Sequence, residues 1–418
     1  GGQGDDAQHH DGEGSGGVGQ GGDGDLLLVT GTASLHDHGA GDLAGGVHVA
    51  QDVVDDADAD GGIDLQILHD VEEQSGAHIL LAQKAFSMYS LYPLIGEYIS
   101  GATASGINEA RLGYEYMGKE NHIFAPAYKE NEFDEIVKIC DHIIFNSYNQ
   151  FAKYKDSVKK AGISCGIRVN PQFSTQEGHE IYDPCQPGSR MGITLSEFEK
   201  HDFTGIEGIH FHTLCEQNSD ALVATLKVVE EQFGQYFSQL KWINFGGGHH
   251  ITKPDYDRKA LIDAIKYIRE KYNLIVYLEP GEAIAVDTGY MVTEVMDIVH
   301  NHIDIAILDA SAACHMPDVL EMPYRPNAID MDMADVKKYT YRFGGNTCLS
   351  GDIIGDYSTD KQLKAGDRVI FEDMSIYSMV KNNTFNGINL PSIYLFSEEK
   401  GLRLIKRFGY EDFKMRLS

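Results

Sequence analysis

The chain has 418 residues and a formal net charge of −30. A charge of this size argues against a nucleic-acid or anionic-membrane partner and permits a cationic substrate to be attracted. No stretch approaches the roughly 20 apolar residues of a membrane-spanning helix, and no signal segment is recognisable at the start. The six cysteines include no Cys-x-x-Cys pair, so we expect reduced thiols and a cytoplasmic location.

Residues 1–62 differ in composition from the rest of the chain. They contain 18 glycines and 13 acidic residues but no lysine, arginine or aromatic residue. Such a segment buries too little apolar surface to offset the entropy of ordering it. We expect either a disordered acidic tail or a segment that is not the authentic N-terminus. A strand at 25–30 is possible, but we expect no strand from this segment to join a C-terminal sheet. Helical spacing begins at about Ile63.

From residue 78 onward, short apolar runs alternate with segments of helical periodicity. Eight such alternations predict an α/β fold built on a (β/α)8 barrel over residues 63–282. After residue 282 the pattern changes to strands with little helix, which predicts a β-sandwich domain over residues 283–418. The predicted barrel strands are 78–84, 101–105, 122–126, 142–147, 164–170, 205–215, 240–248 and 274–281.

The active site of such a barrel lies at the carboxyl ends of its strands. Lys84 ends the first run, where burial lowers the pKa of an amine and lets it attack an aldehyde; otherwise its ammonium reaches water. Gly246, Gly247 and Gly248 follow the seventh run, where barrels often hold phosphate. Arg168 adds positive charge there or pairs with a carboxylate of the fold. These groups suit an aldehyde cofactor that carries a phosphate.

Two other strand ends favour the same cofactor but allow an alternative. Glu279 ends the eighth run and could keep a ring nitrogen protonated, so that the ring withdraws electrons; alternatively it pairs with Arg168. His210 and His212 could present two imidazoles to a metal ion on one face of a strand. A metal-dependent barrel hydrolase is therefore the alternative from a different class, although it leaves Lys84 and the glycine turn without a task.

Several stretches together resemble the fold-type III pyridoxal-phosphate decarboxylases, which include ornithine and diaminopimelate decarboxylases and share the alanine racemase fold. Within that group the chain is most similar to the carboxynorspermidine/carboxyspermidine decarboxylases of polyamine biosynthesis. The resemblance runs from about Leu65 to the C-terminus. Its most specific stretches are LLAQKAFSMYS, TASGINEARLGYE, HFHTLCEQN, NFGGGHH, LEPGEA, LDASAACHMPD and GGNTCLSGD.

The resemblance implies a role for each residue of the predicted cofactor site. Lys84 would form a Schiff base with pyridoxal 5'-phosphate, and His212 would stack on the pyridine ring. Glu279 would pair with the ring nitrogen. The glycines at 246–248 would hold the phosphate together with Tyr377.

The resemblance also implies a homodimer with shared active sites. Cys348 and Asp352 resemble residues that the family lends across the dimer interface, and Cys348 or a water would protonate the product carbon. Leu349 replaces the first Asp of a Cys-Asp-x-x-Asp pattern. The second Asp, Asp352, is therefore the acid that we expect to bind the substrate. Similarly, Cys215 replaces a serine that relatives use to bind phosphate.

One departure from the family pattern concerns the substrate. Where many relatives have Glu-Pro-Gly-Arg, this chain has Glu-Pro-Gly-Glu, so Glu282 places an anion where a cation is usual. Together with Asp318, it would bind the cationic tail of a small carboxylated polyamine, carboxynorspermidine or carboxyspermidine. Diaminopimelate and ornithine are the alternative substrates within the same fold.

Overall fold

A computed structural model describes residues 47–51, 65–176, 180–397 and 400–418. The possible strand at 25–30 and most of the glycine-rich segment lie outside these ranges. Strand β1 (Val47–Gln51) is the first described element. Helix α1 (Leu65–Ser75) follows, close to the point where helical spacing begins in the sequence.

Eight parallel strands close into a barrel, which confirms the predicted fold class. The last strand pairs with the first through the register His78 to Tyr277, so the ring has no free edge. Most positions of these strands are buried, which explains why the sequence shows continuous apolar runs instead of alternation. The strands are β2 (His78–Ala82), β3 (Gly101–Ala104), β4 (Glu120–Phe124), β5 (His142–Phe145), β6 (Ser164–Arg168), β7 (Gly208–His210), β8 (Trp242–Asn244) and β9 (Ile275–Leu278).

Helices connect the barrel strands and cover their outer face. The helix Tyr148–Ala161 has a capping residue at each end. The Ser147 side chain accepts a hydrogen bond from the Gln150 N–H, and Gly162 follows the last turn with φ of 71°. The helices are α2 (Tyr92–Tyr98), α3 (Ile107–Tyr116), α4 (Glu130–Ile139), α5 (Tyr148–Ala161), α6 (Leu195–Phe198), α7 (Ser219–Phe233), α8 (Arg258–Tyr272) and α9 (Glu282–Ala285).

A nine-stranded sheet follows the barrel in the chain, in the order β12-β14-β13-β11-β10-β1-β16-β17, with β15 also paired to β10. The apolar pattern of the sequence predicts five strands here, at 291–299, 303–308, 339–343, 368–372 and 393–396, and all five are present. Strands β12, β14 and β17 were not predicted. The elements are β10 (Gly289–Asn301), β11 (Ile303–Leu308), α10 (Ala312–His315), α11 (Asp318–Glu321), β12 (Asp332–Met333), β13 (Tyr339–Gly344), β14 (Ile353–Thr359), β15 (Arg368–Phe371), β16 (Ser392–Ser397), β17 (Gly401–Lys406) and α12 (Tyr410–Met415).

Strand β1 corrects one expectation about the N-terminal segment. Its backbone lies between β10 and β16, antiparallel to the first and parallel to the second. The expectation that residues 1–62 supply no strand to the C-terminal sheet is therefore wrong at 47–51. Because β1 has a neighbour on both sides, it joins two parts of the sheet whose facing edges would otherwise be unpaired. The domain boundary at residue 62 stays a prediction.

Among the described residues, two large hydrophobic cores and a small cluster of Leu80, Ile144, Trp242 and Tyr277 inside the barrel hold these elements together. One large core fills the space between the barrel and its helices, and the other lies within the C-terminal sheet domain. In the described ranges, no helix combines the length and apolar character needed to cross a membrane.

Candidate active site

The carboxyl ends of the barrel strands surround a cavity with two lobes that meet at Lys84. The barrel lobe, of about 380 Å³, is lined by strand-end residues that include Thr103, Phe124 and Arg168. The acidic lobe, of about 530 Å³, is lined by residues that include Glu216, His250, Glu282 and Tyr377. Both lobes share Ala82, Lys84, His212, Gly247 and Glu279.

Lys84 lies in a turn directly after strand β2. The Ala85 N–H donates to the Ala82 carbonyl at 3.1 Å, which closes that turn. The Lys84 side chain is exposed to the cavity but surrounded by protein atoms. This burial lowers the pKa of its amine, and the nearby charge of Arg168 lowers the pKa further. A lowered pKa enlarges the neutral, nucleophilic fraction of the amine.

Glu279 follows strand β9 and is 7% exposed. Its Oε1 accepts hydrogen bonds from Thr103 Oγ1 at 3.0 Å and Asn244 Nδ2 at 2.9 Å. Its Oε2 accepts from His210 Nε2 at 2.9 Å. Burial alone would raise the pKa of this carboxyl, but its interactions with His210, His122 and Asn244 together outweigh burial and the pKa is lowered. The carboxylate is therefore ionised and fixed in place.

His212 lies between Lys84 and the glycine turn. Its Nδ1 accepts the Gly247 N–H at 2.9 Å, and its Nε2 lies 3.5 Å from Lys84 Nζ. Burial, followed by the Lys84 charge, holds the pKa of His212 well below its ordinary value. The ring is therefore neutral with its hydrogen on Nε2, and it lines both lobes of the cavity.

The geometry of His210 and His212 does not favour the metal-dependent hydrolase. His210 bonds to Glu279 and His212 to the Gly247 N–H. In the described part of the chain, two groups of side chains are close enough to share a metal ion, and neither includes these histidines.

The glycine turn adopts a backbone that only glycine tolerates well. Gly246 and Gly248 have φ of +69° and +82°, and a Cβ on Gly247 would lie 2.4 Å from the Glu279 carbonyl oxygen and 3.4 Å from His212 Cε1. The Glu279 N–H donates to the Gly246 carbonyl at 2.8 Å. These contacts fix the turn against both Glu279 and His212.

Tyr377 reaches the cavity from the C-terminal part of the chain. Its N–H donates to the Ala85 carbonyl at 2.9 Å, and its φ of 51° is unusual for a residue with a side chain. Burial raises the pKa of the Tyr377 hydroxyl, which therefore stays protonated and able to donate to an anion.

Arg168 lines the barrel lobe, whereas Gly248 and Tyr377 line the acidic lobe. Its guanidinium donates to the His212 carbonyl at 3.0 Å and lies 4.7 Å from the centre of the Phe124 ring. Burial lowers the pKa of Arg168 to about 10. In this arrangement Arg168 holds the segment that carries His212.

The acidic lobe contains two neighbouring carboxyls, Glu216 and Glu282, of which only Glu282 was predicted from the sequence. Burial raises the pKa of Glu282 and of Glu216 to about 7, and the two side chains share a hydrogen bond. His250 Nε2 lies 3.0 Å from Glu282 Oε2. Within the described residues, neither carboxyl forms an ion pair with a lysine or arginine. Glu216 was missed although it stands inside the stretch HFHTLCEQN.

Asp318, the other predicted acid of this region, has a different environment. Lys381 Nζ donates to its Oδ1, and the Tyr182 hydroxyl donates to the same oxygen at 3.3 Å. Lys381 also bonds to Glu321. The charge of Asp318 is therefore largely compensated within the chain.

Cys348 and Asp352 do not line the cavity around Lys84 in a single chain. Asp352 is 3% exposed and accepts hydrogen bonds from Ser311 Oγ at 2.8 Å and Thr347 Oγ1 at 2.6 Å. Cys348 is exposed, and its N–H donates to Asn386 Oδ1 at 2.7 Å. Asp352 thus holds the loop on which the Cys348 thiol is presented.

These residues suit pyridoxal phosphate: an amine of lowered pKa, a neutral flat imidazole, a buried carboxylate and a glycine turn border one cavity. Comparison with known proteins agrees. A family model described as "Pyridoxal-dependent decarboxylase, C-terminal sheet domain" matches residues 49–375. The chain belongs to the pyridoxal-dependent decarboxylases.

Individual relatives are similar over most of the chain. A carboxynorspermidine/carboxyspermidine decarboxylase from Campylobacter jejuni is 45% identical, covering 84% of this chain and 94% of the relative. A carboxyaminopropylagmatine decarboxylase from Synechocystis is 39% identical, covering 84% and 92%. The crystal structure of carboxynorspermidine decarboxylase from Campylobacter jejuni, complexed with norspermidine, superposes with a TM-score of 0.80 at 41% identity, covering 88% of this chain and 99% of that one.

Proposed function

We propose that this decarboxylase acts on carboxynorspermidine and carboxyspermidine and releases norspermidine and spermidine. The observation that carries the proposal is the pair of Glu216 and Glu282, which lines the same cavity as Lys84 and forms no ion pair with a lysine or arginine of the described chain. The names and identities of the relatives support the same substrates.

We propose that the residues around Lys84 hold the cofactor. Lys84 is the amine for covalent attachment of the aldehyde, and the His212 ring faces the pyridine. Glu279, ionised and held by three donors, keeps the ring nitrogen protonated. The turn at 246–248 and the Tyr377 hydroxyl bind the phosphate, and Arg168 fixes His212. When bound, the cofactor withdraws the electron pair that remains as CO2 departs.

The acid pair provides the contact that distinguishes a polyamine from a shorter amino acid. A carboxylated triamine carries two amines in addition to its α-amine, and both are cationic at neutral pH. The pKa values of both carboxyls are raised, and neither carboxyl forms an ion pair with a lysine or arginine of the described chain. An ammonium group placed beside them favours their ionised forms. We propose that Glu282 and Glu216 accept the cationic tail. Asp318 is a second proposed contact, weakened by Lys381.

The substrate proposal is tested by comparing turnover of five compounds by cofactor-loaded enzyme. CO2 release would be measured with carboxynorspermidine, carboxyspermidine, carboxyaminopropylagmatine, diaminopimelate and ornithine. We expect the first two to have the highest kcat/KM. Higher kcat/KM for diaminopimelate or ornithine would overturn the proposal. Higher kcat/KM for carboxyaminopropylagmatine would also overturn it and would show that the acidic lobe binds a guanidinium group instead of an amine.

We further propose a cytoplasmic homodimer whose active sites are shared. Support comes from six free cysteines and from Cys348, exposed on a loop away from the Lys84 cavity of its own chain. Cys348 would protonate the product carbon in the partner's site, with Asp352 as the proposed acid beside it.

Mixed dimers test this sharing. Lys84→Ala and Cys348→Ala chains, each nearly inactive alone, should regain about a quarter of native activity when unfolded together and refolded, because half of the dimers are mixed and each has one native site. No recovery, with dimers confirmed by ultracentrifugation, would contradict shared sites.

A further inference from the structure

A second group of chemically active side chains lies at the opposite end of the barrel from Lys84. Glu120 and His142 are the first residues of strands β4 and β5, and His122 stands two residues into β4. One potential ligand atom from each of the three lies within 4.8 Å of the others. We call these three residues the barrel-floor cluster.

Several polar atoms of this cluster have no hydrogen-bond partner. His122 is fully buried, and neither of its ring nitrogens is bonded. His142 Nδ1 is also buried and without a hydrogen bond, and Glu120 Oε2 has only His78 Nδ1 near it, at 3.4 Å in poor hydrogen-bond geometry. A buried polar atom that stays without a partner destabilises the folded protein. One nitrogen of each neutral imidazole and the Glu120 carboxylate carry lone pairs, so the cluster can accommodate a ligand that accepts them.

Neighbouring residues orient the carboxylate of the cluster and cover its two imidazoles. The Tyr277 hydroxyl donates to Glu120 Oε1 at 3.0 Å, which orients the carboxylate and leaves Oε2 for a ligand. The Tyr277 ring packs edge-on against His122 at 4.8 Å, and Trp242 stacks on His142 at 4.9 Å. These aromatic rings cover the two imidazoles on the side of the barrel interior.

The cluster is open to solvent on its other side. The Glu120 side chain is 28% exposed, and that of His78, whose Nδ1 lies 3.4 Å from Glu120 Oε2, is 42% exposed. An ion can therefore enter from the amino ends of the strands without passing through the cofactor cavity.

We propose that Glu120, His122 and His142 bind one Zn²⁺ ion at the floor of the barrel. Two imidazoles, one carboxylate and a water form a four-coordinate set that suits Zn²⁺, whereas Mg²⁺ and Ca²⁺ prefer oxygen ligands alone. The imidazole planes lie 25° apart with centroids at 4.1 Å. Rotation of one ring and a contraction of about 1 Å bring the donors to bonding distance.

The ion has a structural role, because it connects two adjacent strands and lies away from the reacting atoms. Tyr277 and Glu279 are successive inward-facing residues of one chain segment, so the floor cluster is at least one layer, roughly 7 Å, from the cofactor site. Zinc binding should therefore raise the thermal stability of the folded enzyme.

The test uses cofactor-loaded enzyme stripped with a chelator and then equilibrated with Zn²⁺ or with Mg²⁺. Bound metal is counted by mass spectrometry after gel filtration, and the Tm is measured in parallel. We expect one Zn²⁺ per chain, a Tm raised by several degrees, and no change with Mg²⁺. Absence of tight Zn²⁺ binding would overturn the proposal.

Variants locate the ion. Glu120→Gln and His142→Ala should abolish the stoichiometric Zn²⁺ and the rise in Tm, and Glu120→Gln keeps the shape of the site if His142→Ala folds poorly. Two control variants should keep both: His300→Ala, which removes an exposed histidine paired with Asp304, and His250→Ala, which breaks the cluster in the acidic lobe. Loss of Zn²⁺ in His250→Ala alone would assign the ion to the acidic lobe and contradict the proposal.

Discussion

Glu279 and Glu282 lie three residues apart and border one cavity, but their surroundings differ. Glu279 accepts hydrogen bonds from Thr103, Asn244 and His210, and its pKa is lowered. Glu282 shares a proton with another acid, and burial raises its pKa to about 7. The comparison shows that a buried carboxylate with enough donors is prepared to stabilise charge on a cofactor. Glu282 is only partly buried, with His250 and Glu216 as polar neighbours, and such a carboxyl is suited to receive a cation from the cavity.

The largest effect is expected from Glu279→Gln. The amide keeps the shape of the side chain but cannot hold the ring nitrogen protonated, so the electron pair left by CO2 is poorly stabilised. We expect kcat to fall by about 10²–10³-fold, the range typical of a lost electrostatic group in an active site. Cofactor absorbance should show that the cofactor is still bound. Near-normal kcat with full cofactor occupancy would remove this role.

Replacement of either acid of the acidic lobe should mainly weaken substrate binding. Glu216→Gln and Glu282→Gln should each raise KM for carboxynorspermidine about tenfold, equivalent to roughly 1.4 kcal/mol, with a smaller change in kcat. Steady-state kinetics on all variants would measure both constants. Glu321→Gln is the matched control, because it alters an exposed carboxylate on Lys381 and should leave KM unchanged. Equal KM changes in all three variants would show a general charge effect.

A smaller effect is expected in the pH profile. Below about pH 7 the acid pair is protonated and competes poorly for an ammonium group, so kcat/KM should fall as pH drops through this value. Glu282→Gln removes the neighbouring charge and hydrogen bond that help raise the pKa of Glu216. The acidic limb of the profile should then move to lower pH. An unchanged limb would exclude the pair as its source.

The barrel could be predicted from sequence because its strands are buried on both sides. Their apolar runs are continuous, and the ends of those runs identify Lys84 and Glu279 directly. Strand β17 was missed because most of its residues are partly or fully exposed, which leaves no apolar pattern to detect. Strand β1 lies in a segment whose composition suggested no order at all.

The acidic lobe was less predictable because it depends on contacts that are distant in sequence. Asp318 looked available for a substrate, yet Lys381, 63 residues later, bonds to it. Glu216 looked like an ordinary loop acid, yet folding brings it to Glu282, and no local pattern indicates that pairing.

The central claim is that Lys84 carries the cofactor at the point where the two lobes meet. The most direct measurement is borohydride reduction of enzyme loaded with pyridoxal phosphate, followed by peptide mapping. We expect stoichiometric label on Lys84 and none on Lys84→Ala protein. Label on another lysine, or no label on folded protein, would contradict it.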